Sequence, residues 1–348
     1  MMVPSVQAGL TVAQAMQYWL QDRESEVRRT TLRGYKQASS YIVGPLLLGN
    51  RVDRHQFTRR GRKKPDAQFI PMLGPIEIEQ LTTAQIRAWH RLITSYVGAY
   101  TARVAKKFLR AALCLAAEDF GVRVPPMPTR LGRGRPSSKK HILTPQQVGM
   151  LINAAQGDKS RGLYYAFPFL TGVRPSEQLA LSWEDVDFGA RVIRIRRSQE
   201  PDGLIAQLTK TAASRRDIPM SSLLFSMITD WQMNCPKRDT DNPRVFPCLG
   251  ARRAKQYKTR GRPLTYTNFV NTYWRPALAA LGLPRVTPHS ARHTFISTLQ
   301  AQGAEVGLVA QLAGHANPNI TLSHYTQAIR GGERAVEALD QAFGLKSE

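Results

Sequence analysis

Apolar residues in the first ~125 positions recur at helical spacing. After Thr11, the residues Val12, Met16, Trp19 and Leu20 share one face, and after Thr82, Ile86, Trp89 and Ile93 do the same. Each run opens on a Thr with Gln three residues later, Thr11/Gln14 and Thr82/Gln85, and the pattern returns at Thr144/Gln147. At that spacing hydroxyl and amide each satisfy a backbone N–H at a helix start. From about Thr101 to Phe120, Val104, Phe108 and Leu115 form an apolar stripe, with Arg103, Lys106, Lys107 and Arg110 elsewhere on the surface. Gly121 and Pro125-Pro126 then stop the helix. The spacing predicts a small all-helical domain over residues 1–127. Within it, residues 50–66 (the basic insertion extends to about 70) show no apolar period, so they read as an inserted loop, either solvated or in contact with phosphate.

The period changes to two near residue 191. RVIRIRR (191–197), LIAQLTK (204–210) and RRDIPM (215–220) are separated by turn signals and predict a small antiparallel sheet of about three strands. Helical patterns precede this interlude from Thr144 and resume near Ser221. Residues 128–141, rich in Pro, Gly, Ser and basic residues, read as a flexible linker. A second domain then covers 142–348, with a tail helix over about 331–348. The fold class expected is mainly α with a small antiparallel β-sheet, in two domains.

Charge narrows the partners. The 348 residues carry 49 Lys and Arg against 25 Asp and Glu, a net charge of +24. That excess repels itself in a compact fold and points to a polyanion. No apolar run is long enough to span a bilayer, and MMVPSVQAGLTV lacks the layout of a secretory signal, so the expected place is the cytoplasm, with no membrane partner. Cys114, Cys235 and Cys248 are far apart, and buried thiols are the expectation. No nucleotide-binding glycine loop and no acidic metal cage stand out, so no cofactor is expected. HSARH (289–293) lacks the Glu of a zinc-protease motif.

Four stretches have chemical promise. In TGVRPSE (171–177), Gly172 permits a turn and Pro175 suits a first helical position. Arg174 is then at a loop–helix junction, free to fork onto a phosphate or simply to face solvent. Glu177 could hold Arg174 in place or serve the first helical turn. LTKTAASRR (208–216) places Lys210 at a turn between strands. In TPHSARH (287–293), Thr287 caps, and His289 and Arg292 share a face, either as a titrating group beside a cation or as an ordinary polar helix end. In LAGHANPNITLSHY (312–325), Gly314 ends a helix begun near Glu305, His315 turns the corner, and Asn317-Pro318 starts the helix that carries Tyr325. Alone, Tyr325 is as good a packing residue as any tyrosine.

Taken together and in this order, the stretches resemble the tyrosine recombinases, the phage-type integrase family. The likeness covers nearly the whole chain. It implies a helical, SAM-like core-binding domain, a basic linker and a catalytic domain. Carried over by position, Arg174 and Arg292 resemble the two catalytic arginines, Lys210 the hairpin lysine, His289 the opening of His-x-x-Arg, His315 the histidine after Leu-x-Gly, and Tyr325 the nucleophile. Glu177 matches an accessory acid. The implied function is site-specific cutting and rejoining of DNA through a 3′-phosphotyrosine, without metal or ATP, for integrating or excising a mobile element. The implied partners are double-stranded DNA bearing a core site, a homotetramer on two duplexes, and accessory DNA-bending or directionality proteins. The implied location is the nucleoid. Two rivals keep the same residues: a type IB topoisomerase, and a non-catalytic DNA-binding protein on this fold. The basic insertion departs from the family's pattern.

Overall fold

The computed structural model describes residues 9–61, 66–129, 131, 142–201, 203–207, 215–236, 243–250 and 261–314. Lys210, His315, Tyr325, most of the linker and the tail lie outside the described residues. The chain divides into two compact units, Met1–Ser138 and Lys139–Glu348.

The first unit is helical. It contains α1 (Val12–Glu24), α2 (Arg29–Val43), strand β1 (Leu46–Leu47), α3 (Arg51–Arg60), β2 (Phe69–Ile70), α4 (Thr83–Tyr96) and α5 (Ala99–Phe120). The Thr11/Gln14 and Thr82/Gln85 capping boxes start α1 and α4. Met16, Trp19, Ile42, Ile86, Trp89 and Leu109 build the core. Each such buried side chain contributes about 1.5–3 kcal/mol. The Trp89 indole donates to the Tyr41 carbonyl at 2.8 Å, so its polar atom is satisfied inside that core.

Three expectations are corrected here. Residues 51–60 form a helix, not a loop. Asn50 accepts from the Val52 and Asp53 amides at 2.8 and 3.0 Å, and Asp53 accepts back from the Asn50 amide. That polar box starts a helix with no apolar face, because α3 lies outside the core, with Phe57 set edge-on against Phe69 of β2. On α5, Val104, Phe108 and Leu115 are only half-buried, while Ala102, Ala105, Leu109, Ala112 and Ala116 form the buried line. Alanines allow close helix approach, and a search for large apolar residues overlooks them. Cys114, on the same helix, is exposed and not a buried thiol.

The second unit contains α6 (Pro145–Gly157), α7 (Gly162–Thr171), α8 (Pro175–Ala180), β3 (Val186–Asp187), β4 (Val192–Ile195), β5 (Arg197–Gln199), β6 (Ile205–Gln207), β7 (Arg216–Pro219), α9 (Ser222–Asn234), α10 (Tyr266–Phe269), a π-helical turn at Val270–Trp274, α11 (Arg275–Ala280), α12 (Pro288–Ala301) and α13 (Val306–Ala313). Helix α7 is apolar on nearly every face and buried accordingly. It packs on α6 and α12 at the centre of a core with Tyr164, Phe167, Phe246 and Trp274.

The strands are antiparallel, as expected, but belong to two small sheets. One has the order β3-β4-β7, and the other pairs β5 with β6. The run 191–197 splits at Arg196. Ile195 pairs with Arg216 in the first sheet, and Arg197 with Gln207 in the second. Arg197 then turns to the buried Asp185 at 2.6 Å, a partly buried ion pair that a simple alternating strand would not place.

Candidate anion site

Three turns in the second unit carry the site. Thr171 ends α7, Gly172 takes the left-handed conformation at φ 64°, and Arg174 starts α8 with Pro175 in the first helical position. A Cβ on Gly172 would come within 2.3 Å of the Phe295 ring, so glycine is needed for space as well as for φ. Thr287 caps α12 through the Ser290 amide, with Pro288 at the first position, and Arg292 lies one turn in. Glu305 precedes α13, which ends at Gly314 with φ 70°.

These turns bring Arg174, Glu177 and Arg292 together. Glu177 is 2% exposed. It accepts from the Arg174 amide at 2.8 Å and from Arg174 Nη1 at 2.7 Å. Arg174 Nη2 reaches across to the Gly314 carbonyl at 3.0 Å. Arg292, also 2% exposed, donates Nη1 to the Gly172 carbonyl at 2.9 Å, and its Nη2 is buried with no hydrogen-bond partner. His289 is exposed at the start of α12, its ring 5.0 Å from that of the buried His293 and nearly perpendicular to it.

A residue that the sequence reasoning passed over completes the cluster. Arg216, on β7, donates Nη2 to Glu177 at 2.8 Å and Nε to the Leu312 carbonyl at 2.6 Å. The signal was present in the strand: β7 alternates buried and exposed, which turns Arg216 inward beside Ile218. An open cavity of about 450 Å³ beside it is lined by Arg196, Arg215, Arg216, Asp217 and Gln311.

The electrostatics follow from the count. Three guanidinium groups meet one carboxylate, which leaves two positive charges uncompensated. Burial pushes the Glu177 carboxyl up, but Arg216 and Arg174 outweigh it and hold it below its usual range. Glu177 is therefore a carboxylate at neutral pH. Burial, with Arg174 and Arg216 nearby, lowers Arg292 to about 9 despite Glu177. A buried guanidinium with an unused N–H donor and surplus charge around it suits an oxyanion. Among the described residues no His, Cys, Asp or Glu group is arranged to hold a metal ion. Nor is any described helix long and apolar enough to cross a membrane.

Residues 141–330, more than half of the chain, match the model of the phage integrase family. The chain belongs to that family. This integrase-family chain is 26% identical over 286 residues to the transposase from transposon Tn916 of Enterococcus faecalis, covering 78% of this chain and 69% of the transposase. It is also 26% identical over 211 residues to a XerC-like tyrosine recombinase of Caldanaerobacter subterraneus subsp. tengcongensis, covering 57% of this chain. The chain spans 53% of that relative's length. Among solved structures, the Tn1549 transposon integrase in complex with a circular intermediate DNA superposes with a TM-score of 0.73 over 95% of this chain and 99% of that one, at 21% identity. The fold is therefore that of the tyrosine recombinases.

Proposed function

We propose that the protein is a site-specific DNA recombinase that cuts and rejoins strands through a covalent tyrosine–phosphate bond. The observation that carries this reading is the surplus of guanidinium over carboxylate around Glu177, with a buried, unpartnered Nη2 on Arg292. A phosphodiester has one charge in the ground state and gains more at its non-bridging oxygens as a fifth oxygen attacks phosphorus. Preorganised cations aimed at those oxygens lower that barrier. Guanidinium stays protonated at neutral pH, even for Arg292 at about 9.

Arg174 and Arg292 bind the scissile phosphate. The Tyr325 oxygen attacks phosphorus, and the bond to the 5′-oxygen breaks. His289 assists loss of the tyrosine proton, Lys210 delivers a proton to the departing 5′-oxygen, and His315 adds a hydrogen bond to the phosphate. Glu177 holds Arg174 in register. The products are a 3′-phosphotyrosine and a free 5′-hydroxyl. One diester replaces another, so reversal by an incoming 5′-hydroxyl needs no external energy source. This reading extends to a helical core-binding domain over residues 1–127 and a homotetramer on two duplexes. It places the chain with the transposon transposase and integrase it resembles, in integration or excision of a mobile element.

A nicked suicide duplex bearing the element's end sequence tests the chemistry, because the short fragment diffuses away and traps the intermediate. The expected result is a covalent protein–DNA product that vanishes in Tyr325→Phe. An adduct that survives this substitution assigns the nucleophile elsewhere. No adduct from the unaltered protein favours a DNA-binding role without cleavage. A supercoiled plasmid lacking the site separates recombinase from topoisomerase, since only the latter relaxes it.

A further inference from the structure

Arg216 is buried, and two features of its surroundings are unusual for a purely structural ion pair. First, its partner Glu177 is already engaged by Arg174, so one carboxylate serves two guanidiniums. Second, Nε points away from Glu177 to the Leu312 carbonyl. The last carbonyls of a helix have no partner within it, and α13 ends at Ala313. Arg216 takes the carbonyl of Leu312 and Arg174 that of Gly314, so two arginines grip the same helix end from one shared carboxylate. The chain leaves that end directly into His315, and Tyr325 is ten residues further on. On its other side Arg216 is held in β7 by pairing with Ile195, six residues after Lys210.

We infer that Arg216 is a positioning residue: it joins Glu177 to the end of α13 and so sets the segment carrying His315 and Tyr325 in register with Arg174. Buried ion pairs are weak sources of net stability, because desolvation consumes most of the attraction, so stability alone is a poor reason for this arrangement. Geometry is a better one. A guanidinium has Nε and two Nη groups in a rigid plane and reaches a carboxylate and a carbonyl in different directions at once. An ammonium on a flexible stem does not hold both. The inference rests on the proposed roles of Arg174 and Tyr325.

The test uses the full chain, enzyme in excess over suicide duplex, with unaltered protein, Arg216→Lys, Arg216→Gln and Tyr325→Phe. Both Arg216 variants should bind the duplex within about two-fold of the unaltered protein, yet cleave with a single-turnover rate constant lower by about 10- to 100-fold. That is the scale expected from a displacement of about 1 Å at a reacting group. Amplitude reports how much protein is folded and the rate constant does not, so a destabilised variant still gives a reading. A wild-type rate constant in Arg216→Lys overturns the inference. So does a loss confined to amplitude, which is the mark of a merely structural residue. If the unaltered protein forms no adduct, or Tyr325→Phe forms one, it is the functional reading that fails.

Discussion

Arg292 carries the most consequential single charge in the site. Burial, with Arg174 and Arg216 nearby, makes its cation costly. The sign follows from a base whose folded value is lowered. The cost is present below about 9 and fades as pH rises from there towards the value of free arginine. A bound tetrahedral dianion supplies the missing counter-charge, so its affinity falls as Arg292 loses its proton. Sulfate, which does not titrate in this range, is a suitable probe, and its binding is read from the rise in Tm. Stabilisation by sulfate should diminish as pH rises through about 9. In Arg292→Gln it should be weaker at neutral pH and show no inflection there. Identical sulfate profiles in the two proteins would remove Arg292 from the anion site. Arg292 was legible from its spacing to His289. Its burial was not, because the sequence of α12 does not say that α7 covers that face.

At the scale of elements, the site depends on two helix ends and a strand. The turn at Gly172 offers its carbonyl to Arg292 and leads to Arg174 two residues later. Gly172→Ala should therefore act on stability and on cleavage together. The left-handed conformation costs a non-glycine residue roughly 1–2 kcal/mol, and the new Cβ must also displace Phe295, which shares α12 with Arg292. Gly121→Ala is the matched control, with φ 65° and open space around the new Cβ. Denaturant unfolding should show a larger loss for Gly172→Ala, and only that variant should lower the single-turnover cleavage rate. Equal losses of stability with cleavage intact would mean that the turn does not position the arginines. The caps that define these elements were readable as local chemistry: Thr11, Thr82 and Thr144 each bond the amide three residues on. Helix α3 escaped notice because its own capping box is polar and its faces lack the apolar period that marks core helices. The split of 191–197 between two sheets was equally hidden, since alternation says which residues face inward but not which strand is the neighbour.

For the whole molecule, a net charge of +24 is more than a single phosphate site requires. It fits a protein that neutralises a long stretch of duplex, with α5 presenting Arg103, Lys107 and Arg110 to solvent. The proposed strand exchange needs more than one copy, and the tail is the segment we propose for joining them. The spacing of Ala335, Val336, Leu339 and Phe343 after Gly331-Gly332 matches a helical period in the sequence. A tail that docks on a neighbouring subunit predicts a split phenotype. Truncation after Arg330 should abolish recombination while covalent cleavage of a single suicide site survives. Loss of neither activity, or of both in equal measure, would return the tail to its own domain.

The sequence by itself determined the helical caps, the change of period near 191, the charge excess of +24 and the order Arg174, Lys210, His289, Arg292, His315, Tyr325. These are local in the chain, or depend only on composition and order. Tertiary structure decided which charges meet. Residues 174, 177, 216, 292 and 314 are spread over 140 positions, and hydrogen bonds from Arg174 and Arg216 join the first three to the end of α13. Alternation along β7 turns Arg216 inward, but no spacing rule reports that it meets Glu177 there beside Arg174, or that Arg292 is left with an N–H to give. Those facts depend on which faces become buried, and burial is settled only when the distant elements pack.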